Sequence, residues 1–289
     1  MTHDLLIQAC PACGGTDFIE SNVVLSEGAL RICRTCGHAI SSCTLQAFDL
    51  TMREFDNPQG TLPTERSRVR YRQRIGRLLR TLSKFAGVTE GCRLLDVGCS
   101  SGALLNVARE IGFDVQGVEP SAGPAQTAIN SGFSVFNGYL QDANFADDRF
   151  DVVTMMEVIE HLTEPLAVIR EIFRILRPGG VLAISTGNIG SLTARLNGDR
   201  WEYLDMSRHG GHVSFFTSKS LEKLANRAGF EIVNVNTRNF RLLEKAEASP
   251  LLYRSAKVLA ELFSKPVGWM GQGHDLVVVL RKPQGSHAL

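Results

Sequence analysis

No stretch of this sequence is apolar over the ~20 residues that a bilayer-spanning helix requires, so no membrane span is expected. Charge of one sign is also missing. The 31 lysines and arginines nearly balance the 30 aspartates and glutamates, a formal net charge of +1. No global field draws such a chain onto nucleic acid or an anionic surface. Aromatic residues are sparse at 7%, with two tryptophans, and no row of them is available to stack bases. The opening MTHDLLIQACPACGG lacks the basic start and long apolar stretch of a secretory leader, which predicts a cytoplasmic protein. Internal repeats and low-complexity tracts are absent. The seven cysteines are an odd number, and four of them fall in two tight CxxC pairs. A reducing compartment with metal-bound thiolates fits this better than a disulfide framework.

With 289 residues, 44% of them hydrophobic and 21% charged, the chain can build one large domain and one small one. Residues 1–43 carry both CxxC pairs and little helical periodicity. Residues 44–64 hold Asp56, Asn57, Pro58, Gly60 and Pro63 and read as a linker. Residues 65–283 form the main unit, with 284–289 as a tail. A helix is predicted over 65–85 from the spacing of Ile75, Leu78, Leu79, Leu82 and Phe85. From Cys92 onward, strand-like runs at 93–97, 114–119, 133–136, 150–156, 181–186, 230–235 and 275–280 alternate with helical stretches at 103–111, 164–176 and 218–228. That alternation predicts a doubly wound α/β sheet, mostly parallel and covered on both faces. An apolar helical insert is expected at 249–270. It could cap a pocket, pair with a second copy or touch a membrane.

The sharpest signal is LLDVGCSSG, Leu94 to Gly102, in which an apolar strand enters a small-residue turn that opens a helix. Gly98 and Gly102 let the backbone approach a ligand, and the helix start offers free N–H groups. Asp96 closes the strand, where ligands bind in open α/β sheets. Glu119, about 20 residues on in GVEPS, is placed to grip the two hydroxyls of a ribose. A dinucleotide site would use GxGxxG over a pyrophosphate. A carboxylate before the turn repels phosphate and suits the ammonium of a methionine moiety.

These motifs resemble those of the class I S-adenosylmethionine-dependent methyltransferases over roughly 70–283, with Ser100 where glycine is usual. The resemblance implies a Rossmann-like seven-stranded sheet. It also implies a donor site of Asp96, Gly98, Cys99, Gly102, Glu119, Pro120 and Met156, with Leu140 and Gln141 beside the adenine. RPGGVLAIST and the closing GHDLVVVLRKP match the family's later strands, the last one antiparallel.

MMEVIEHL places Glu157, Glu160 and His161 at i, i+3 and i+4, on one face if the stretch is helical. Such a trio can bind a divalent cation, orient a hydroxyl, support the cofactor loop or leave His161 as a base. It resembles the ExxEH motif of ubiquinone-pathway O-methyltransferases and small-RNA 2′-O-methyltransferases. There the motif and a later histidine, His212 or His209 here, hold Mg²⁺. Trp201, Tyr203 and His212 fall in a segment resembling the acceptor region of methyltransferases of glycan and secondary metabolism.

CPACGG and CRTCGH place Cys10, Cys13, Cys33 and Cys36 on two knuckles, which predicts a structural zinc ribbon with a hairpin turning at Glu27–Gly28. His38 and Cys43 are lesser candidates as ligands. The arginines from Arg66 to Arg74 form a solvated face or meet an anion, Arg70 and Arg74 lying near Tyr71. The sequence therefore points to methyl transfer onto a small-molecule hydroxyl, such as a sugar or glycan precursor. An RNA methyltransferase guided by the ribbon and a non-catalytic zinc-ribbon module are the competing readings.

Overall fold

The structure is a computed structural model, and it describes residues 5–54, 65–88, 90–205, 211–243 and 249–285. His209, and the breakers Asp56 to Pro63 of the expected linker, lie outside the described residues.

Two sheets share one body. The larger has seven strands: β4 (Arg93–Val97), β5 (Asp114–Glu119), β6 (Ser134–Asn137), β7 (Phe150–Met156), β8 (Leu176–Gly187), β10 (Glu231–Arg238) and β11 (Asp275–Arg281). Their order is β10-β11-β8-β7-β4-β5-β6. β11 runs antiparallel to β8 and β10, while the β8-β7-β4-β5-β6 pairs are parallel. The order reverses at β4, and such a switch point opens a crevice at the carboxyl edge of the sheet. The strands β4, β7, β8 and β11 bury both faces, as their unbroken apolar runs require. Leu95, Val153, Met155, Leu182 and Val278 pack toward α5 (Pro165–Ile175) and α7 (Ser218–Arg227). Their neighbours Leu94, Val152, Val181, Ala183 and Val279 pack toward α2 (Glu65–Ala86) and α3 (Ala103–Glu110). Against the other half of the sheet lies α4 (Ala122–Asn130), and α6 (Leu192–Asn197) follows β8. α8 (Pro250–Trp269) fills the expected insert.

The smaller sheet is β1 (Phe18–Leu25), β2 (Gly28–Cys33), β3 (Ala39–Ile40) and β9 (Ser214–Phe215). Its fourth strand comes from the main unit, so the ribbon is not a separate body. Cys10, Ala12, Cys33 and Cys36 belong to the same buried cluster as Leu221, Leu224 and Ala225 of α7. Arg227 donates to the carbonyls of Pro11 and Ala12 at 3.3 and 3.1 Å. Part of the expected linker is regular: Leu45–Glu54 is helix α1, whose Ala47 and Phe48 pack on Ile7, Ile40 and Val213. The breakers that suggested a linker all follow this helix.

Candidate active site

The donor half of the site stands on β4 and β5. Register sets Asp96 beside Thr154 of β7, whose hydroxyl donates to Asp96 Oδ1 at 2.6 Å. Asp96 is buried, and burial pushes its carboxyl up to about 7 against that hydrogen bond. A carboxylate desolvated without a cation is costly, so the position is fitted to a positively charged ligand. The turn after β4 leaves the ordinary backbone regions: Gly98, Ser100 and Gly102 have φ of 74°, 47° and 82°. A Cβ on Gly98 would stand 2.4 Å from a methyl of Val158, so only glycine fits. Ser100 tolerates its left-handed backbone because its N–H donates to Glu119 Oε2 at 2.8 Å. Ser121 N–H donates to Glu119 Oε1 at 2.9 Å. Glu119 thus aligns both loops. A carboxylate offers about four lone-pair sites, so capacity remains for ribose hydroxyls.

The other five residues expected at the donor site differ in burial and direction. Cys99 points its thiol at Gly117, in the core with Leu104 and Leu105, so it can offer a ligand only its backbone. Leu140 is buried in the cluster around Phe150. Gln141 is exposed on the same short 3-10 turn. Met156 is half-buried against the side of the core that α2 covers. Pro120 is exposed at the end of β5. Tyr71 stood out in the sequence only as a neighbour of Arg70 and Arg74. On α2 it packs against that same core, and burial together with the nearby Asp96 carboxylate raises its phenol. Its i+3 neighbour Arg74, already noted near Tyr71, lies over its ring at 5.9 Å.

The second half lies beyond β7 and β8. Glu157, Glu160 and His161 do not share a helix face. Glu157 follows the strand with φ 55°, and only Ile159–His161 form a single 3-10 turn. Folding still gathers them, through a residue outside the motif. The Tyr203 hydroxyl sits between the two carboxyls, donating to Glu160 Oε1 and lying 3.1 Å from Glu157 Oε2. Thr186 donates to Glu160 Oε2 at 3.0 Å, and Ser185 to Glu157 Oε1 at 2.7 Å. Burial raises both carboxyls to about 7, and the Glu160 charge adds to the rise at Glu157. The pair therefore binds protons more readily than exposed glutamates do. His212 Nδ1 lies 2.8 Å from the Tyr203 carbonyl, which can only accept. His212 consequently donates there, and Nε2, 3.9 Å from Glu160 Oε1, is the basic nitrogen. The His161 and His212 rings meet at 4.6 Å, edge to face. Trp201, expected at the acceptor pocket, is fully buried, and its indole donates to His274 Nδ1 at 3.2 Å.

Glu160, His161 and His212 bring three ligand atoms within 4.8 Å of one another, and Glu157 is not among them. Two imidazoles and one carboxylate are a poor match for Mg²⁺, which prefers oxygen donors. The four cysteine sulfurs also lie within 4.8 Å, with Cys10–Cys36 at 3.6 Å and Cys13–Cys33 at 3.5 Å. Tetrahedral zinc with Zn–S near 2.3 Å sets sulfurs about 3.8 Å apart, so the set fits zinc. Burial raises the Cys10 and Cys36 thiols in the absence of a cation, and amides of Ala12, Cys13, Thr35, Cys36 and His38 that point at the sulfurs act against it. His38 and Cys43 lie outside the set. His38 is buried against Phe216 and Cys43 against Ile40.

Residues 67–235 match the family described as "Methyltransferase domain". A ubiquinone biosynthesis O-methyltransferase of Cereibacter sphaeroides is 33% identical over 157 residues, 50% of this chain and 62% of that protein. One of the same name from Pseudomonas fluorescens is 36% identical over 105 residues, 34% of this chain and 45% of its own. The match thus spans less than two thirds of either relative. A SAM-dependent methyltransferase from Archaeoglobus fulgidus superposes with TM-score 0.52 at 18% identity, over 73% of this chain and 94% of that one. The cyclase SpnF does so with TM-score 0.50 at 22% identity, over 73% and 81%. These likenesses show the fold, and the cyclase name shows that this fold carries other reactions too.

Proposed function

Since the chain belongs to the methyltransferase-domain family, we propose that it is an S-adenosylmethionine-dependent O-methyltransferase acting on a small hydroxyl compound. The observation that carries this is the pair of acids on adjacent strand ends, Asp96 and Glu119, around a turn that only Gly98 fits. Asp96 would meet the ammonium of the donor, Glu119 its ribose, and the exposed Gln141 would border its adenine. When bound, S-adenosylmethionine supplies a methyl group on a sulfonium, open to in-line displacement. The chain's own task is alignment, exclusion of water and removal of one proton.

His212 Nε2 is the proposed base. Its ring is fixed by the Tyr203 carbonyl, and Glu160 is near enough to stabilise the imidazolium that forms. His161 would complete the wall. The two named relatives support oxygen as the accepting atom, and no observation favours a sugar or glycan acceptor. Four cysteines fitted to zinc support a closed structural site rather than a catalytic one.

Calorimetry with S-adenosylmethionine tests the donor site, and absence of binding would end the proposal. Turnover is then measured with radiolabelled donor on a panel of phenols, catechols and sugars. His212→Ala should lower kcat about 10²–10⁴-fold while donor Kd changes less than about twofold. A variant that keeps kcat within about threefold of wild type removes His212 from the role.

A further inference from the structure

Helix α8 carries an apolar face that nothing among the described residues covers. Val258, Leu259, Leu262, Phe263, Trp269 and Met270 are 50–84% exposed, Trp269 the most. Their helical positions fall in one arc, and on the side next to it Ala260 and Val267 are buried with Phe240, with Ala256 buried one turn before Ala260. Arg254 and Lys265 border one edge of the arc, both exposed and neither in an ion pair among the described residues, with Lys257 behind them near Glu261 at 4.0 Å. A soluble surface rarely leaves so large a patch open without use.

The placement matters as much as the composition. The Thr237 hydroxyl donates to the Gly268 carbonyl at 3.0 Å, and Leu192 N–H to Gln272 O at 3.0 Å. Arg238, Asp275 and Gly187 stand in register at the ends of β10, β11 and β8. The end of α8 is therefore fixed at the carboxyl edge of the sheet, the edge that holds Asp96, Glu119 and Glu157.

We propose that this face docks the protein onto an anionic lipid surface beside the mouth of the site. Aliphatic and aromatic side chains would enter the headgroup boundary while Arg254 and Lys265 meet lipid phosphates and carboxylates. Charge decides between a membrane and a second copy. The helix holds Arg254, Lys257 and Lys265 against Glu261 alone, so an antiparallel self-pair would oppose net-positive helices. The inference stands whether or not the acceptor reading does.

The two tryptophans make the test direct: Trp269 is 84% exposed and Trp201 1%. The full chain is titrated with vesicles of phosphatidylcholine containing roughly 30% phosphatidylserine and with pure phosphatidylcholine. Docking shifts the tryptophan emission to the blue and floats the protein with the anionic vesicles. Trp269→Phe removes the spectral shift but not flotation. Leu262→Asp with Phe263→Asp ends flotation and leaves calorimetric donor binding unchanged. Arg254→Gln and Lys265→Gln each weaken anionic binding roughly fivefold. No shift and no flotation overturns the proposal. So does a concentration-dependent dimer, seen by sedimentation without lipid and abolished by the double aspartate variant.

Discussion

Asp96 shows how a single buried charge couples ligand to proton. Its carboxyl rises to about 7 because burial outweighs the Thr154 hydrogen bond, against about 4 in an unfolded chain. A raised acid makes the folded state prefer the proton, so the free protein loses stability as pH climbs from about 4 through about 7. A cationic donor needs the ionised form and expels that proton. Affinity for S-adenosylmethionine should therefore rise about tenfold per pH unit between about 5 and 7 and level off above. Calorimetry in buffers of different ionisation enthalpy should register a released proton at pH 6. Asp96→Asn separates the roles. It should weaken donor binding about 100-fold, the consequence of removing one partner from a buried charge pair, while raising the melting temperature of the free protein at pH 8. A fall in that melting temperature would mean Asp96 is structural.

Among the elements, α7 joins the two sheets. Its start is closed by a reciprocal pair: Thr217 Oγ1 accepts from Ser220 N at 3.1 Å and Ser220 Oγ accepts from Thr217 N at 2.9 Å. Leu221 and Leu224 then face the core beside Cys33 and Cys36, and Arg227 at the far end holds the first knuckle. Thr217→Ala should cost about 1 kcal/mol, read by denaturant unfolding with an unchanged slope. Elements of this kind were legible in the sequence, since apolar period and the Pro–Gly breaks set their bounds within a few residues. The turn 94–102 was legible for the same reason: its glycines answer a local backbone need. The acceptor half was not. Glu157 and Glu160 meet through Tyr203, about 40 residues away, and no local period encodes that meeting. Helical spacing put Glu157 and His161 on one face, but the strand runs on to Met156 and Glu157 turns left-handed. The side chains of Leu140 and Cys99 belong to the core, which motif position alone does not show.

For the whole molecule, the small sheet is braced against the acceptor half. Ser41 N–H donates to the Val213 carbonyl at 3.0 Å, and Val213 N–H donates to the Glu160 carbonyl at 2.9 Å. Ile40 and Ala39 pair with Ser214 and Phe215. His212 is next in the chain, so the segment carrying the proposed base hangs between the ribbon and the 3-10 turn. Among the described residues no hydrogen bond joins β4 or β5, which carry the donor half, to the ribbon. Structural zinc supplies folding energy to its surroundings, and here those surroundings include the cluster under α5 and α7. Cys36→Ser, or stripping with a zinc chelator, should therefore not release an independent ribbon. Scanning calorimetry should show one transition at a melting temperature lower by several degrees, since each kcal/mol lost moves a domain of this size by roughly 2–4 °C. At a temperature where the stripped protein remains folded, kcat should fall more than about tenfold while donor Kd changes less than about threefold. Two separate transitions, or donor binding lost in step with turnover, would show that the ribbon does not brace His212 in this way.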